Sequence, residues 1–336
     1  MKKFFLIFLL GILFYSCTDK LPTVPATVVS EKVPHDTDDP AIWVHPTDAS
    51  KSIVFGTDKD TDGAIYAFNL QGKIIPDKVL KNIRYPNNID IEYGFKMFDS
   101  TVVDIMVFTE RERNQIRLFS VPDMRPLDGG GFPVFEDETN INYRRPMGVG
   151  IYKNPINQKI SVIVSRKTGP KDNYLYQYEL ISDAEGVRSE FIRKFGKFSG
   201  VKEIEAIAID DELGHVYCSD EGVGIRKYAA DPSKGNEELA FFGNENFSED
   251  MEGIAIAAKP NGDGWIIVSD QQKGQFNIFS RKDHHFIKAV NLGTTETDGC
   301  DLVIGFFDKK FPKGLFVAMN NQKDFYFYDL GLLGFN

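Results

Sequence analysis

The sequence predicts an all-β chain folded as one six-bladed β-propeller, and three observations carry that expectation. Short runs rich in Val, Ile, Phe and Tyr alternate with polar residues and are punctuated by Gly, Pro, Asn and Asp. No stretch holds a long amphipathic helical period. A three-strand pattern also recurs six times, starting near residues 39, 87, 146, 204, 251 and 299. That period of roughly 50 residues suits propeller blades.

In order, the copies read "DPAIWVH", "SIVFGTDKD", "AIYAFNLQG"; then "NNIDIEY", "DIMVFTERE", "IRLFSVPD"; then "MGVGIYK", "SVIVSRKTG", "YLYQYELIS". The fourth is "IEAIAID", "HVYCSDEG", "IRKYAAD", the fifth "MEGIAIA", "WIIVSDQQ", "FNIFSRKD", and the sixth "DGCDLVI", "GLFVAMNN", "FYFYDLG". Fourth strands such as "RSEFIRKFG" and "HFIKAVNLG" follow some copies, but after the sixth only "LLGFN" remains. The unassigned segment "ATVVSEKV" is therefore expected to complete the sixth blade, hiding edges that an open sheet would expose.

Residues 1–16 read as an export signal. Lys2 and Lys3 precede the apolar run "FFLIFLLGILF", too short for a comfortable membrane span, and "YSC" follows. The segment resembles a bacterial lipoprotein signal, which would make Cys17 a lipidated first residue, residues 17–25 a linker and residues 26–336 the propeller. The expected location is the bacterial cell envelope, with the membrane touched only through the lipid, and the expected state is a monomer.

The 336 residues carry 39 Lys and Arg against 49 Asp and Glu, a formal charge of −10, which becomes −12 once Lys2 and Lys3 are removed. Such a chain lacks the basic face that nucleic acid needs. It should also repel anionic substrates, unless bound cations invert the local field. Cys218 and Cys300 are too few for a disulfide framework and lack metal-ligand spacing, so they are expected as buried thiols.

In an antiparallel blade, the start of the innermost strand and the end of the second lie together. Those spots hold Asp38 and Asp39 with Asp58 and Lys59, then Asn87, Asn88 and Asp90 with Glu110 and Arg111. Arg166 and Lys167 follow, then Glu203 and Glu205 with Asp220 and Glu221. The last two blades give Asp250 and Glu252 with Asp270 and Gln271, and Asp298 and Asp301 with Asn320 and Asn321. Convergence of these residues on one mouth of the central channel predicts a site. Hard oxygen donors without a Cys or His cluster suit Ca²⁺. Lys59, Arg111 and Lys167, on successive copies, suit a phosphate.

Other chemistries lack their residues. The five histidines match no metal-ligand spacing, neither cysteine sits in a thiol-phosphatase loop, and no G-x-S-x-G elbow or nucleotide-binding glycine loop occurs. The stretch Asp58–Asn69 copies half an EF-hand loop but ends in Asn where a bidentate Glu belongs, so a β-turn around Gly63 is expected.

The motifs "DTDDPAIWVHPTD", "GTDKD", "YPNNIDIEYGF", "EIEAIAIDDELGHVYCSDEGVGIRKY", "DMEGIAI", "IIVSDQQ" and "TDGCDL" together resemble the β-propeller (alkaline) phytases, in order and spacing, across essentially the whole mature chain. The resemblance implies a calcium-dependent phosphomonoesterase that cleaves phytate (inositol hexakisphosphate) by direct attack of water, with a second subsite for another phosphate of the same substrate. It implies Lys59, Arg111 and Lys167 as phosphate ligands. It gives several catalytic calcium ions to Glu205, Asp220, Glu221, Asp250, Glu252, Gln271 and Asp298. Asp39, paired with Asp38, and the Asn88–Asp90 turn would hold a stabilising ion at the first blade junction. Three positions depart from the family: Met147 stands where members often carry Tyr, Asp60 where some carry a second Lys and Glu92 where some carry Arg. "SDQQK" also replaces the more usual S-x-Q-G. A calcium propeller lactonase or phosphotriesterase, or a noncatalytic surface lipoprotein using the same mouth, are the alternatives. The basic residues argue against the lactonase or phosphotriesterase.

Overall fold

A computed structural model describes residues 21–335, and residues 1–20, with the expected signal and Cys17, lie outside them. The described residues form six four-stranded antiparallel sheets joined by loops and short 3-10 turns, with no α-helix among them. Each of the first five blades takes its four strands consecutively from the chain. Their innermost strands are Thr37–Trp43, Pro86–Lys96, Pro146–Lys153, Ile204–Asp210 and Met251–Ala258.

Blade 6 closes the ring as its missing fourth strand requires. Its inner strands, Cys300–Ile304, Gly314–Asn320 and Asp324–Asp329, are completed by the N-terminal Val28–Val29, which pairs with Phe327 and Tyr326. The flanking backbone extends this pairing, with Ser30 N donating to Phe325 O and Val33 N to Lys323 O.

Apolar alternation places one hydrophobic cluster between each pair of blades. Val28, Ile42, Val54, Phe68, Leu315 and Phe327 fill the closing junction between blades 6 and 1. The other five clusters repeat this arrangement around the ring. Cys218 and Cys300 are buried free thiols within these clusters, as expected. The half EF-hand is a strand–turn–strand: Asp58 ends one strand, Gly63 begins the next, and Asp62 N donates to Asp60 Oδ1.

The innermost strands leave edge N–H groups facing the central channel, and these need acceptors. Carboxylates supply them across blade boundaries. Asp39 Oδ2 accepts from Ile89 N at 3.0 Å, Asp90 Oδ2 from Ile151 N at 2.7 Å and Asp301 Oδ2 from Ile42 N at 2.8 Å. Asp211 Oδ1 accepts from Lys153 N at 2.9 Å. Some of the chain's acidity is thus built into the channel wall.

Candidate active site

A repeated local device builds the mouth. Five inner strands carry a β-bulge next to their first residue, placing two residues opposite one. The bulged pairs are Asp38–Asp39, Asn87–Asn88, Met147–Gly148, Glu205–Ala206 and Glu252–Gly253. A bulge breaks the two-residue alternation, so the members of each pair face different ways. Met147, Glu205 and Glu252 line the mouth, while Asp39, Asn88, Ala206 and Gly253 line the channel below. Asp38 and Asn87 lie just beneath the mouth, where Asn87 Nδ2 reaches Asp38 Oδ2 at 3.1 Å and Glu205 Oε1 at 3.4 Å. Blade packing at this level is close: a Cβ on Gly148 would collide with the Glu205 carbonyl oxygen, and one on Gly299 with Asp39.

Opposite each bulge, three consecutive residues divide three tasks. The first is a hydroxyl, which in blades 2, 3 and 5 bonds the backbone of the neighbouring blade: Thr109 Oγ1 donates to Met147 O, Ser165 Oγ to Ile204 O and Ser269 Oγ to Thr297 O. The next side chain clamps the loop entering the same blade. Asp58 accepts from His35 N and Asp36 N, Glu110 from Arg84 N, Asp220 from Ser199 N and Asp270 from Ser248 N. The third residue lies just beyond the strand and faces the mouth: Lys59, Arg111, Lys167, Glu221 and Gln271. In each case its backbone N–H ties to the residue before the inner strand.

This periodicity relocates one expected site residue. Asp220 occupies a clamp position behind the mouth, with both oxygens already engaged. Oδ1 accepts from Ser199 Oγ at 2.6 Å, and Oδ2 accepts from Ser199 N and from Arg226 Nε at 2.8 Å. It positions the Ser199 loop, while Glu221, the next residue, faces the basin.

The mouth is a basin of about 550 Å³. Lys59, Arg111, Lys167 and Lys202 line it with six acids, Glu203, Glu205, Glu221, Asp250, Glu252 and Asp298. One oxygen each from Glu203, Glu205 and Glu221 lies within 4.8 Å of the others, a spacing that can hold a metal ion. Glu203 Oε2, Glu221 Oε1 and Glu252 Oε2 are buried without a hydrogen-bond partner among the described residues. Buried carboxylate oxygens demand partners, and a hard divalent cation meets that demand. The donor set therefore fits calcium.

The electrostatics agree. Burial, followed by repulsion from Glu205, Glu203 and Asp250, pushes Glu221 up to about 10. Glu205 and Glu252 are raised well above the ordinary carboxylate range for the same two reasons. Burial raises Asp298 to about 7 against the pull of Lys59. Asp38 is also buried, yet Lys59 and then Arg111 hold it below its ordinary value. Lys59 is anchored in turn, bonded to Asp38 and 3.0 Å from Asp298 Oδ2.

The remaining expected residues fall into place around this basin. Lys167 Nζ donates to Glu203 Oε1 at 2.6 Å. Arg111 lies 4.5 Å over the Tyr85 ring and contacts Met147 Sδ. Gln271 Nε2 donates to Asp298 Oδ1 at 2.7 Å. Asp39, Asn88 and Asp90 share the channel, where Asn88 Oδ1 has no partner among the described residues. Burial lifts Asp90 to about 8 and Asp39 well above its ordinary value. Glu92 also faces this channel, and burial with Asp211 beside it raises it to about 9.

Sequence reasoning passed over Lys202, Gln272 and Tyr85, and left Glu203 out of the ligand set. Aligning the copies on the residue before each inner strand, Asp36, Tyr85, Arg145, Glu203 and Asp250, would have found Tyr85 and Glu203.

The phytase family profile matches residues 20–324. The 3-phytase of Bacillus subtilis (strain 168) is 28% identical over 300 residues, covering 85% of this chain and 74% of that protein. The solved Dos1 propeller aligns at a TM-score of 0.46 and 12% identity, over 88% of this chain and 67% of that one. With a family match spanning nearly the whole described propeller, the chain belongs to the phytase family.

Proposed function

We propose that this protein hydrolyses phytate at the propeller mouth in a calcium-dependent reaction, with water attacking phosphorus directly. The observation that carries the reading is the trio Glu203, Glu205 and Glu221, with unpartnered buried oxygens, set beside a wall of cationic side chains. Membership of the phytase family makes the protein a phosphoric monoester hydrolase. When bound, calcium supplies positive charge for phosphate oxygens and acidifies a water molecule.

The chain's own residues do the rest. Glu203, Glu205 and Glu221 hold cations on one side of the basin, and Asp250, Glu252, Gln271 and Asp298 on the other. Lys59, Arg111 and Lys167 grip phosphate oxygens and orient the ester. Asp38 fixes Lys59 through its buried ion pair, and Tyr85 supports the Arg111 guanidinium. Asp39, Asn88 and Asp90 serve a stabilising ion at the junction of blades 1 and 2. Export and lipid anchoring through Cys17 complete the proposal, supported by Lys2, Lys3 and the apolar run that follows.

Glu221→Gln tests the cation role. Folding the metal-free chain makes Glu221 take up a proton at neutral pH, so the neutral, near-isosteric amide should raise metal-free thermal stability there. Calcium affinity by titration calorimetry should fall about tenfold or more, the scale on which even outer metal partners act. Turnover at limiting calcium should fall with it and recover as calcium is raised. Unchanged calcium binding would remove Glu221 from the cation site.

A further inference from the structure

Lys202 belongs to neither the expected ligand set nor the repeated mouth positions, yet it lines the basin with Lys59, Arg111 and Lys167. It sits on the Ser199–Lys202 loop, which the Asp220 clamp holds through Ser199 N and Oγ. Its Nζ contacts both carboxylate oxygens of Asp250 at 2.5 Å. Gln272 secures the same carboxylate from the other side, donating Nε2 to Oδ2 at 2.6 Å and accepting from Asp250 N at 2.7 Å. Both Asp250 oxygens are therefore engaged within the protein.

The Lys202 side chain remains 43% exposed, against 8% for Asp250. A half-exposed ion pair is weak and exchanges its partner readily. A cation taken up by Asp250 would repel the ammonium and release it towards the basin. Lys167, held on Glu203, and Lys202, next to Glu203 in sequence, then flank the Glu203–Glu205–Glu221 trio.

We infer that Lys202 is a further phosphate-binding residue of this enzyme, stored on Asp250 and transferred to substrate phosphate when a divalent cation takes that carboxylate. The inference rests on the calcium-dependent reading of the mouth. It makes Lys202 a competitor of the cation and a partner of the substrate. Those roles move two binding constants in opposite directions, which a merely structural lysine would not do.

Titration calorimetry on the full chain with Lys202→Gln tests this, using Ca²⁺ alone and then myo-inositol hexasulfate, an unreactive analogue, at saturating Ca²⁺. Calcium affinity should rise several-fold. Hexasulfate affinity should fall about tenfold, the worth of one charge-assisted hydrogen bond discounted for exposure. Lys202→Arg should restore most of the hexasulfate affinity, and with phytate the loss should appear in KM more than in kcat. Unchanged hexasulfate affinity in Lys202→Gln, or weakened calcium binding, would overturn the inference, the latter by making Lys202 a prop for Asp250. Failure of the wild-type protein to bind hexasulfate in calcium would instead overturn the reading of the mouth on which the inference rests.

Discussion

Lys167→Ala is expected to lower kcat on phytate by roughly 100-fold or more, the range found when a group stabilising transition-state charge is removed. Lys167 faces the basin 45% exposed and is held on Glu203 by a single 2.6 Å contact. Its ammonium can therefore follow charge as it develops on the transferring phosphoryl group. Lys59 is a poorer probe because it is only 17% exposed and tied to Asp38 and Asp298. Removing it would leave buried acids uncompensated and lower stability along with activity. Because Lys167 is bound to one partly exposed acid, its loss should leave the fold intact. Steady-state kinetics decide the matter: a change confined to KM would make Lys167 a uniform binding residue instead of a stabiliser of the reaction.

Acid and base should act in opposite senses on the metal-free and calcium-loaded protein. Glu221 at about 10 and Asp298 at about 7 lie above their ordinary carboxylate values, so the folded chain binds more protons than the unfolded one. A raised carboxylate contributes stability that is complete below its unfolded value and is lost as pH climbs through the folded one. In metal-stripped buffer the melting temperature should therefore fall steadily from about pH 5 towards about pH 9. Asp90 and Glu92 in the channel act in the same direction.

With calcium the sign reverses. Ligand carboxylates must lose their protons to hold the ion, so affinity and ion-linked stability grow with pH. The two melting curves should diverge as the medium becomes alkaline and converge in acid. Activity should follow the loaded form, with a neutral to alkaline optimum and partial rescue in mild acid by extra calcium. Scanning calorimetry across pH, with and without calcium, measures this directly. Parallel curves would mean that these acids do not bind the ion.

The architecture was legible in the sequence because a propeller repeats. Six copies of a three-strand pattern identified the blades, and the lack of a fourth strand after "FYFYDLG" required the N-terminal segment that Val28 and Val29 supply. The convergence of polar residues on one mouth was legible too, since strand ends can be read from turns and polar residues. What the pattern could not give was which of two adjacent residues faces the mouth. Asp220 and Glu221 look equivalent in sequence, yet the end of the strand falls between them and turns one towards a loop and the other towards the basin.

The bulges hide similar information. Asp38 and Asp39 would take opposite faces of a regular strand, one buried and one exposed. The bulge instead sends one towards Lys59 beneath the mouth and the other into the channel, both buried. Together with the clamp role of Asp58 and the half-buried Asp36, this distributes the charge of "DTDDP" over separate environments. Lys202 stayed hidden because its importance lies in a contact with Asp250, 48 residues away, across a blade boundary.

The measurement that bears most directly on the account is phosphate release from phytate by metal-stripped protein as calcium is titrated back at mildly alkaline pH. The account predicts negligible release without the ion, activity that rises with calcium, and loss again on chelation. Full activity in the stripped protein, indifferent to chelator, would contradict it.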